Sequence, residues 1–406
     1  MALPVVKCVV QTISYEGEPM QLLERISWLK TRIQENLFPH LRECLDDPLT
    51  EKQKDLIMIL EVVQIERYVR HLNESWTGRP PEDRCCLARA FVAKAVYNFD
   101  NTRMLIDLLH NMPPLRKICG FVQRNDIPSE STFSRAFAEF ALSELGDAVH
   151  AAMVDTHLSD ELIGHVARDA TAIEGNEKPL KKEKKKKTPN KRGRPKKGGV
   201  REPTEEKRLL IQVNQTPSEA LKDIPVSCDV GTKKNSKGYK ETWIGYKLHL
   251  DTACNGLPLT AVLTSASLHD SQVAIPMMKL TAQKVTSLYD LMDAAYDAES
   301  IYRVSRSLGH VPIIDKNPRR GPVLPMAPAE ALRYNGRTVA EHSNGRLKEE
   351  FGGRHVKVRG DRKVKLHLMF GVIALFADQL LRLTSYIVPH PLHPSRCRER
   401  CAKNEG

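Results

Sequence analysis

A chain of 406 residues with 41% hydrophobic content has room for two or three domains and for a core that needs no disulfide or metal staple. Its net charge of +12 and pI of about 9.2 favour an anionic partner. Nine scattered cysteines with no CxxC pair and no zinc-type spacing speak against a disulfide scaffold and a structural zinc site, and Lys7 interrupts the only short apolar stretch at the N-terminus.

Residues 1–150 read as a helical N-terminal domain. Apolar residues recur at helical spacing in Leu22–Leu37, Leu56–Leu72, Leu87–Tyr97 and Met104–Leu109. This stretch holds 18 Lys and Arg against 21 Asp and Glu, so it presents no strongly basic surface. Pro113 and Pro114 end one helix. A short element, Leu115–Val122, and a turn through Asn125, Asp126 and Pro128 lead to a helix that Ser129 or Ser131 caps and that runs to about Ser143. Short helix, turn and capped helix outline a helix-turn-helix, with Ser131, Thr132, Ser134 and Arg135 placed to contact DNA. An ordinary helical hairpin has the same outline.

Residues 176–240 read as a basic disordered insertion. Between Lys178 and Lys197 stand twelve Lys or Arg and one acid, Glu183, a charge of +11 that leaves about +1 for all other residues. Such a run cannot bury enough apolar surface to order itself. Within it, Arg192-Gly193-Arg194-Pro195 resembles an AT-hook, in which extended arginines enter the negative potential of a narrow A·T minor groove. A nonspecific basic tether would have the same composition.

From 155 to 385 strands alternate with helices. Strands are expected at His165–Ala172, at Trp243–Thr252 with Ile244, Tyr246, Leu248 and Leu250 on one face, and at Leu259–Thr264 after the hairpin dipeptide Asn255-Gly256. A helix Ser271–Val285 capped by Asp270, a strand Leu288–Asp293, a helix Ala298–Leu308 and a strand Val311–Ile314 follow. This order predicts a mixed α/β (α+β) domain with a mixed central sheet flanked by helices. The most apolar segment, Leu366–Leu383, is interrupted by His367, Asp378, Gln379 and Arg382, and is expected as a buried helix rather than a membrane span. Residues 386–406 read as a flexible tail.

Between the last strand and that helix, Tyr334, Arg337, Glu341 and Lys348 fall on one stripe of a predicted helix. At about 100° per residue, offsets of 3, 7 and 14 place them within an arc of roughly 60°. Val339, Ala340 and Leu347 lie on the other side and can face a core. One carboxylate between cations suits a metal-assisted reaction on a nucleic-acid backbone, although a solvated charged face shows the same charges. Phosphodiester chemistry by two metal ions needs carboxylates from rigid elements that meet at one sheet edge. Asp169 in the first strand, Asp293 at the end of the strand from Leu288, and Glu341 fit. Asp155 and Glu174 compete for the first place, and Asp270, Asp290 and Asp297 for the second. Asp169 could instead pair with Arg168. The cluster Arg354, Lys357, Arg359, Arg362, Lys363 and Lys365 reads as a phosphate-contacting surface.

These residues resemble the DDE transposases of bacterial insertion sequences, in the group marked by Tyr-x2-Arg-x3-Glu-x6-Lys. Asp169-Ala170-Thr171, Gly245-Tyr246-Lys247-Leu248-His249 with Leu268-His269-Asp270-Ser271, and Asp293-Ala294-Ala295-Tyr296-Asp297 resemble the same catalytic domain. The resemblance implies an RNase H-like fold over 155–385 and a triad Asp169, Asp293, Glu341 that binds Mg²⁺ or Mn²⁺. It implies metal-dependent cleavage of double-stranded DNA at the element's inverted repeats and transfer of the freed 3′ ends into target DNA. Tyr334, Arg337 and Lys348 would then grip the strand, Gly345 would let it approach the backbone, and His269 and Asp270 would support the site or cap a helix, although His269 also fits a core position. A homodimer joining two ends, in a bacterial cytoplasm near the nucleoid, follows from the same likeness. Only 48 residues separate Asp293 from Glu341, which leaves little room for an insertion domain there and leaves open whether hairpin ends form. A related nuclease that cuts without joining, and a DNA-binding protein with an inactive catalytic domain, are the competing readings.

Overall fold

The computed structural model describes residues 49–69, 82–180, 207–234, 238–318 and 325–387. The helix expected at Leu22–Leu37, the AT-hook-like segment with Arg192 and Arg194, and nearly all of the tail lie outside these residues.

The helical region comprises α1 (Glu51–Val63), α2 (Arg84–Val96), α3 (Thr102–Asn111), α4 (Pro113–Cys119), α5 (Glu130–Leu142) and α6 (Leu145–Leu158). Local chemistry sets the ends. Thr50 and Gln53 form a capping box on α1, and Asp83 and Asn101 accept backbone N–H groups at the starts of α2 and α3. Pro113 and Pro114 open α4, and Gly120, at φ 100°, closes it. Ser129 stands at the N-cap of α5, but its hydroxyl bonds those of Ser131 and Thr132 rather than the helix backbone.

The sheet has β1 (Leu162–Glu174), β2 (Asp229–Lys234), β3 (Lys240–Ala253), β4 (Pro258–Ser265), β5 (Thr286–Met292) and β6 (Val311–Ile314). Its order is β2-β3-β1-β5-β6, with β4 also paired to β3. The β1–β3, β2–β3 and β3–β4 pairs are antiparallel, whereas β1–β5 and β5–β6 are parallel. Tyr246, Leu248 and Leu250 are buried as their alternation predicts, but Ile244 is 45% exposed. It sits where β3 extends beside β2, opposite Val230, so no helix covers it. The polar face of β3 is buried too: Asp251 receives a hydrogen bond from Arg168 at 2.7 Å and one from Thr281 at 2.6 Å. Arg168 therefore pairs with Asp251, not with Asp169. The pair fastens β1 to β3, and removing either partner would cost about 3–5 kcal/mol.

One face of the sheet carries α9 (Ser271–Ala282) and α10 (Glu299–Ser307), with Ala274, Ile275, Met278, Ile301 and Val304 packed on Met292 and Ile314. The other carries α12 (Thr338–Glu350), whose Ala340 packs on Ala167, Leu291 and Ile313. Part of the expected linker is ordered. Residues 208–214 and 217–222 form helices α7 and α8, and β2 follows. Leu209 and Val213 pack against the α9–α10 core, and the Lys279 ammonium bonds the carbonyls of Gln212, Val213 and Gln215 at the end of α7. Basic composition hid these few apolar side chains.

Helix α13 (Asp361–Ile387) is long and apolar enough to cross a bilayer by length and composition, yet 78% of its most apolar stretch is buried inside the protein. Its Met369, Phe370, Ile373 and Phe376 lie in one core with residues of α1, α2, α5 and α6 and with Leu248 and Leu250 of β3. The expected buried helix is thus the shared spine of the helical region and the sheet.

Candidate active site

Strand order brings the first two acids together. Asp169 is in β1, and the parallel register that sets Arg168 opposite Met292 carries Asp293, the next residue after β5, to the level of Asp169. Both are partly buried. Burial, then the backbone N–H of Ala170 acting against it, then the charge of Asp293 leave the Asp169 carboxyl pushed up to about 6. Burial likewise raises Asp293, whose Oδ1 accepts the N–H of Ala295 at 2.9 Å and so caps the short turn Ala294–Tyr296. Burial and a neighbouring acid together make each of these positions favour a nearby cation.

The helix that carries the third acid is not continuous. α11 (Pro328–Tyr334) ends at Tyr334, a 3₁₀ turn spans Asn335–Arg337, and only then does α12 begin. The predicted stripe passes through this tightened turn, with Arg337 in contact with both Tyr334 and Glu341. Gly336 lets the turn lie close on β1, because a Cβ there would meet the His165 ring at 2.8 Å. Ala340 and Leu347 are fully buried, as the pattern predicts. Glu341 is half exposed and ion-paired with Arg337, one turn before it. The Arg337 charge also lowers the pKa of Asp169 and Asp293, so the guanidinium lies in the field of all three acids. Its carbon sits 5.8 Å from the centre of the Tyr334 ring. As they stand, no three His, Cys, Asp or Glu side chains among the described residues are close enough to hold an ion.

The competing acids have other partners. Asp290 accepts from Ser305 at 2.6 Å and sits 3.0 Å from His310, and Asp297 accepts the N–H of Asn317 and faces Lys316. Asp155 lies on the exposed side of α6 and Glu174 at the exposed end of β1. Asp270 does not cap α9 through its side chain, since it bonds Lys247 at 2.8 Å. The backbone N–H of Ser271 points instead to the His269 ring at 3.4 Å, and His269 is exposed rather than a core residue. Asp270 still stands near the site, because its charge raises Asp293.

Two comparisons then bear on the chain. Residues 162–377, more than half of it, match the family model of the Transposase DDE domain, and residues 43–139 match that of the Transposase domain (DUF772). The chain belongs to the DDE transposases. No curated protein and no solved structure matches it. Its mixed sheet flanked by helices agrees with the RNase H-like fold that the DDE domain implies. DNA transposition is the work of this family, DNA its partner, and divalent metal ions its general requirement.

Around the acids of this transposase, sequence reasoning missed Asn344. It carries no charge and repeats no motif, yet its Nδ2 donates to Asp169 Oδ2 at 3.0 Å. Lys348 is partly buried near Lys233 and Arg354, and burial followed by those charges lowers its pKa. Arg354, Lys357, Arg359 and Arg362 are exposed, with Arg354 ion-paired to Glu349. Lys365 is tied to Asp147 at 2.8 Å. A Cβ on Gly345 would meet no atom within 4 Å, so the fold itself does not demand glycine there. On α5, Ser131, Ser134 and Arg135 are exposed, in keeping with either a DNA-contacting helix or a hairpin.

Proposed function

We propose that this transposase cuts DNA at the ends of its element and joins the freed 3′ ends to target DNA, using Asp169, Asp293 and Glu341 as the ligands of Mg²⁺ or Mn²⁺. The observation that carries this reading is the pairing of Asp169 and Asp293 across β1 and β5, beneath the helix that presents Glu341. Burial raises the proton affinity of both carboxylates, with Asp293 adding to the effect at Asp169 and Asp270 at Asp293, so the site favours a cation, and oxygen ligands of this kind suit a hard divalent ion. When bound, such ions activate the attacking oxygen and stabilise the leaving 3′ oxygen.

The chain's own residues supply the rest. Ala170 N–H and Asn344 hold the Asp169 carboxylate, and Ala295 N–H holds that of Asp293. Arg337 compensates the acids until a phosphate draws it away, which frees Glu341. Lys348 and the exposed Arg354, Lys357 and Arg359 neutralise backbone phosphates, and Tyr334 packs along the strand. The helical region, through Arg135 and the start of α5, grips the element end, with Arg192 and Arg194 as an additional arm. Two ends in one complex call for two copies of the chain.

Substituting Asp169, Asp293 or Glu341 by Ala is expected to abolish Mg²⁺-dependent end cleavage while leaving duplex binding within about threefold, since no phosphate contact is removed. Retained cleavage by the Asp293 variant would sink its assignment. Cleavage without joined products would favour a nuclease, and binding without either would favour an inactive catalytic domain. Duplex affinity should fall steeply between low and high salt.

A further inference from the structure

We infer that Asn344 is a positioning residue of the active site: it sets Asp169 against Glu341 for the divalent ion, an inference that rests on the proposed metal-binding role of those two acids. Asn344 is 5% exposed and lies three residues beyond Glu341 on α12, so one turn of helix carries both. Its amide donates to Asp169 Oδ2 at 3.0 Å, a contact between residues 175 apart in the chain. That bond ties the helix bearing one ligand to the strand bearing another. It fixes the rotation of α12 about its axis, and hence where Glu341 points once Arg337 releases it. It also occupies one oxygen of Asp169.

A second observation points the same way. Asn344 Oδ1 is buried and has no hydrogen-bond partner. A buried amide oxygen left unsatisfied costs about 1–3 kcal/mol, and such orphans need a reason. Here the orphan is the far end of an amide whose near end is on Asp169. An acceptor at that place is available to a water on a divalent ion, and outer partners of this kind are what orient metal ligands. The packing role of this helix face is already filled by Ala340 and Leu347, which are fully buried.

The test is a Mn²⁺ titration of the full-length chain, with duplex DNA present, followed by calorimetry and by the loss of free-ion paramagnetic signal. Asn344→Leu keeps the branched shape and the number of heavy atoms but has no polar atoms and is somewhat bulkier. It is expected to fold and to bind Mn²⁺ at least about tenfold more weakly than the parent chain. Asn344→Ser keeps a shorter polar group and serves if the leucine variant fails to fold, with an expected loss of about two- to fivefold. Mn²⁺ affinity unchanged in whichever of these variants folds would overturn the inference. Asp169→Asn separates this from the larger reading. If Asp169→Asn loses Mn²⁺ and the Asn344 variants do not, only the role of Asn344 fails. If Asp169→Asn binds Mn²⁺ as the parent does, or the parent binds none at millimolar Mn²⁺, the metal assignment fails and this inference with it.

Discussion

At the scale of single residues, the site stores instability. The Asp169 carboxyl is held up at about 6, chiefly by burial and then by Asp293, against an ordinary value of 3.8. The ionised form is thus disfavoured in the folded protein, and above pH 6 this costs on the order of 1–3 kcal/mol after allowance for partial exposure. The sign follows from the raised value. The folded state takes up a proton that the unfolded state does not, between about 6 and 3.8, so the cost disappears as pH falls through that window. Asp169→Asn should therefore raise the thermal unfolding midpoint of the metal-free protein at pH 8, and the gain should shrink towards pH 5. A lower midpoint at pH 8 would contradict the account. Arg337 makes the converse prediction. Replacing it by Ala removes the cation that now occupies Glu341, so Mn²⁺ binding without DNA should tighten while duplex affinity falls. Calorimetric titrations with each ligand alone would show whether the two effects have opposite signs.

At the scale of elements, two close approaches govern where the site residues stand. The 3₁₀ turn that delivers Arg337 rests on the His165 ring through Gly336, where an added Cβ would lie 2.8 Å from Cε1 and 2.9 Å from Nε2. Gly336→Ala should displace the turn and cost about 1–3 kcal/mol. Adding His165→Ala should restore much of the lost stability and cleavage, because the clash is with a side chain. Failure of the double variant to recover either would move the cause elsewhere. Gly245, at φ 149°, is stricter, since a Cβ there would fall 2.2 Å from the Ile173 carbonyl oxygen. It lets β3 pass from the ribbon with β2 into the sheet beside β1. The strands and helices themselves were legible in the sequence, with β6 at its expected bounds and β1, β3, β4 and α9 close to them. The 3₁₀ turn between α11 and α12 was not, because an angular pattern over 14 residues reports periodicity and is blind to one tightened turn. α7 and α8 were hidden because a basic run beside them dominated the composition.

At the scale of the molecule, the helical region and the sheet are not separable blocks. α13, which begins inside the matched DDE domain and runs past its end, buries Phe370 against Phe91 with ring centres 5.7 Å apart, and its Lys365 pairs with Asp147 of α6. A fragment of residues 155–387 should therefore expose one whole side of α13 and fail to unfold cooperatively in a thermal melt, whereas a chain begun at 49 should retain a single transition. Cooperative melting of the shorter fragment would show that α13 needs only the sheet. The sequence by itself determined the kinds of chemistry available. It placed Asp169 in a strand, Asp293 at the end of another and Glu341 in a helix, because periodicity and residue type are local and survive being read one position at a time. It also located the excess positive charge in one detachable run. Tertiary structure alone decided which groups meet. It gave Arg168 to Asp251, Asp270 to Lys247 and Asp169 to Asn344, and it turned the most apolar helix into a shared spine. Those choices depend on strand register and on contacts between residues 23 to 175 positions apart, and nothing in the spacing along the chain encodes either.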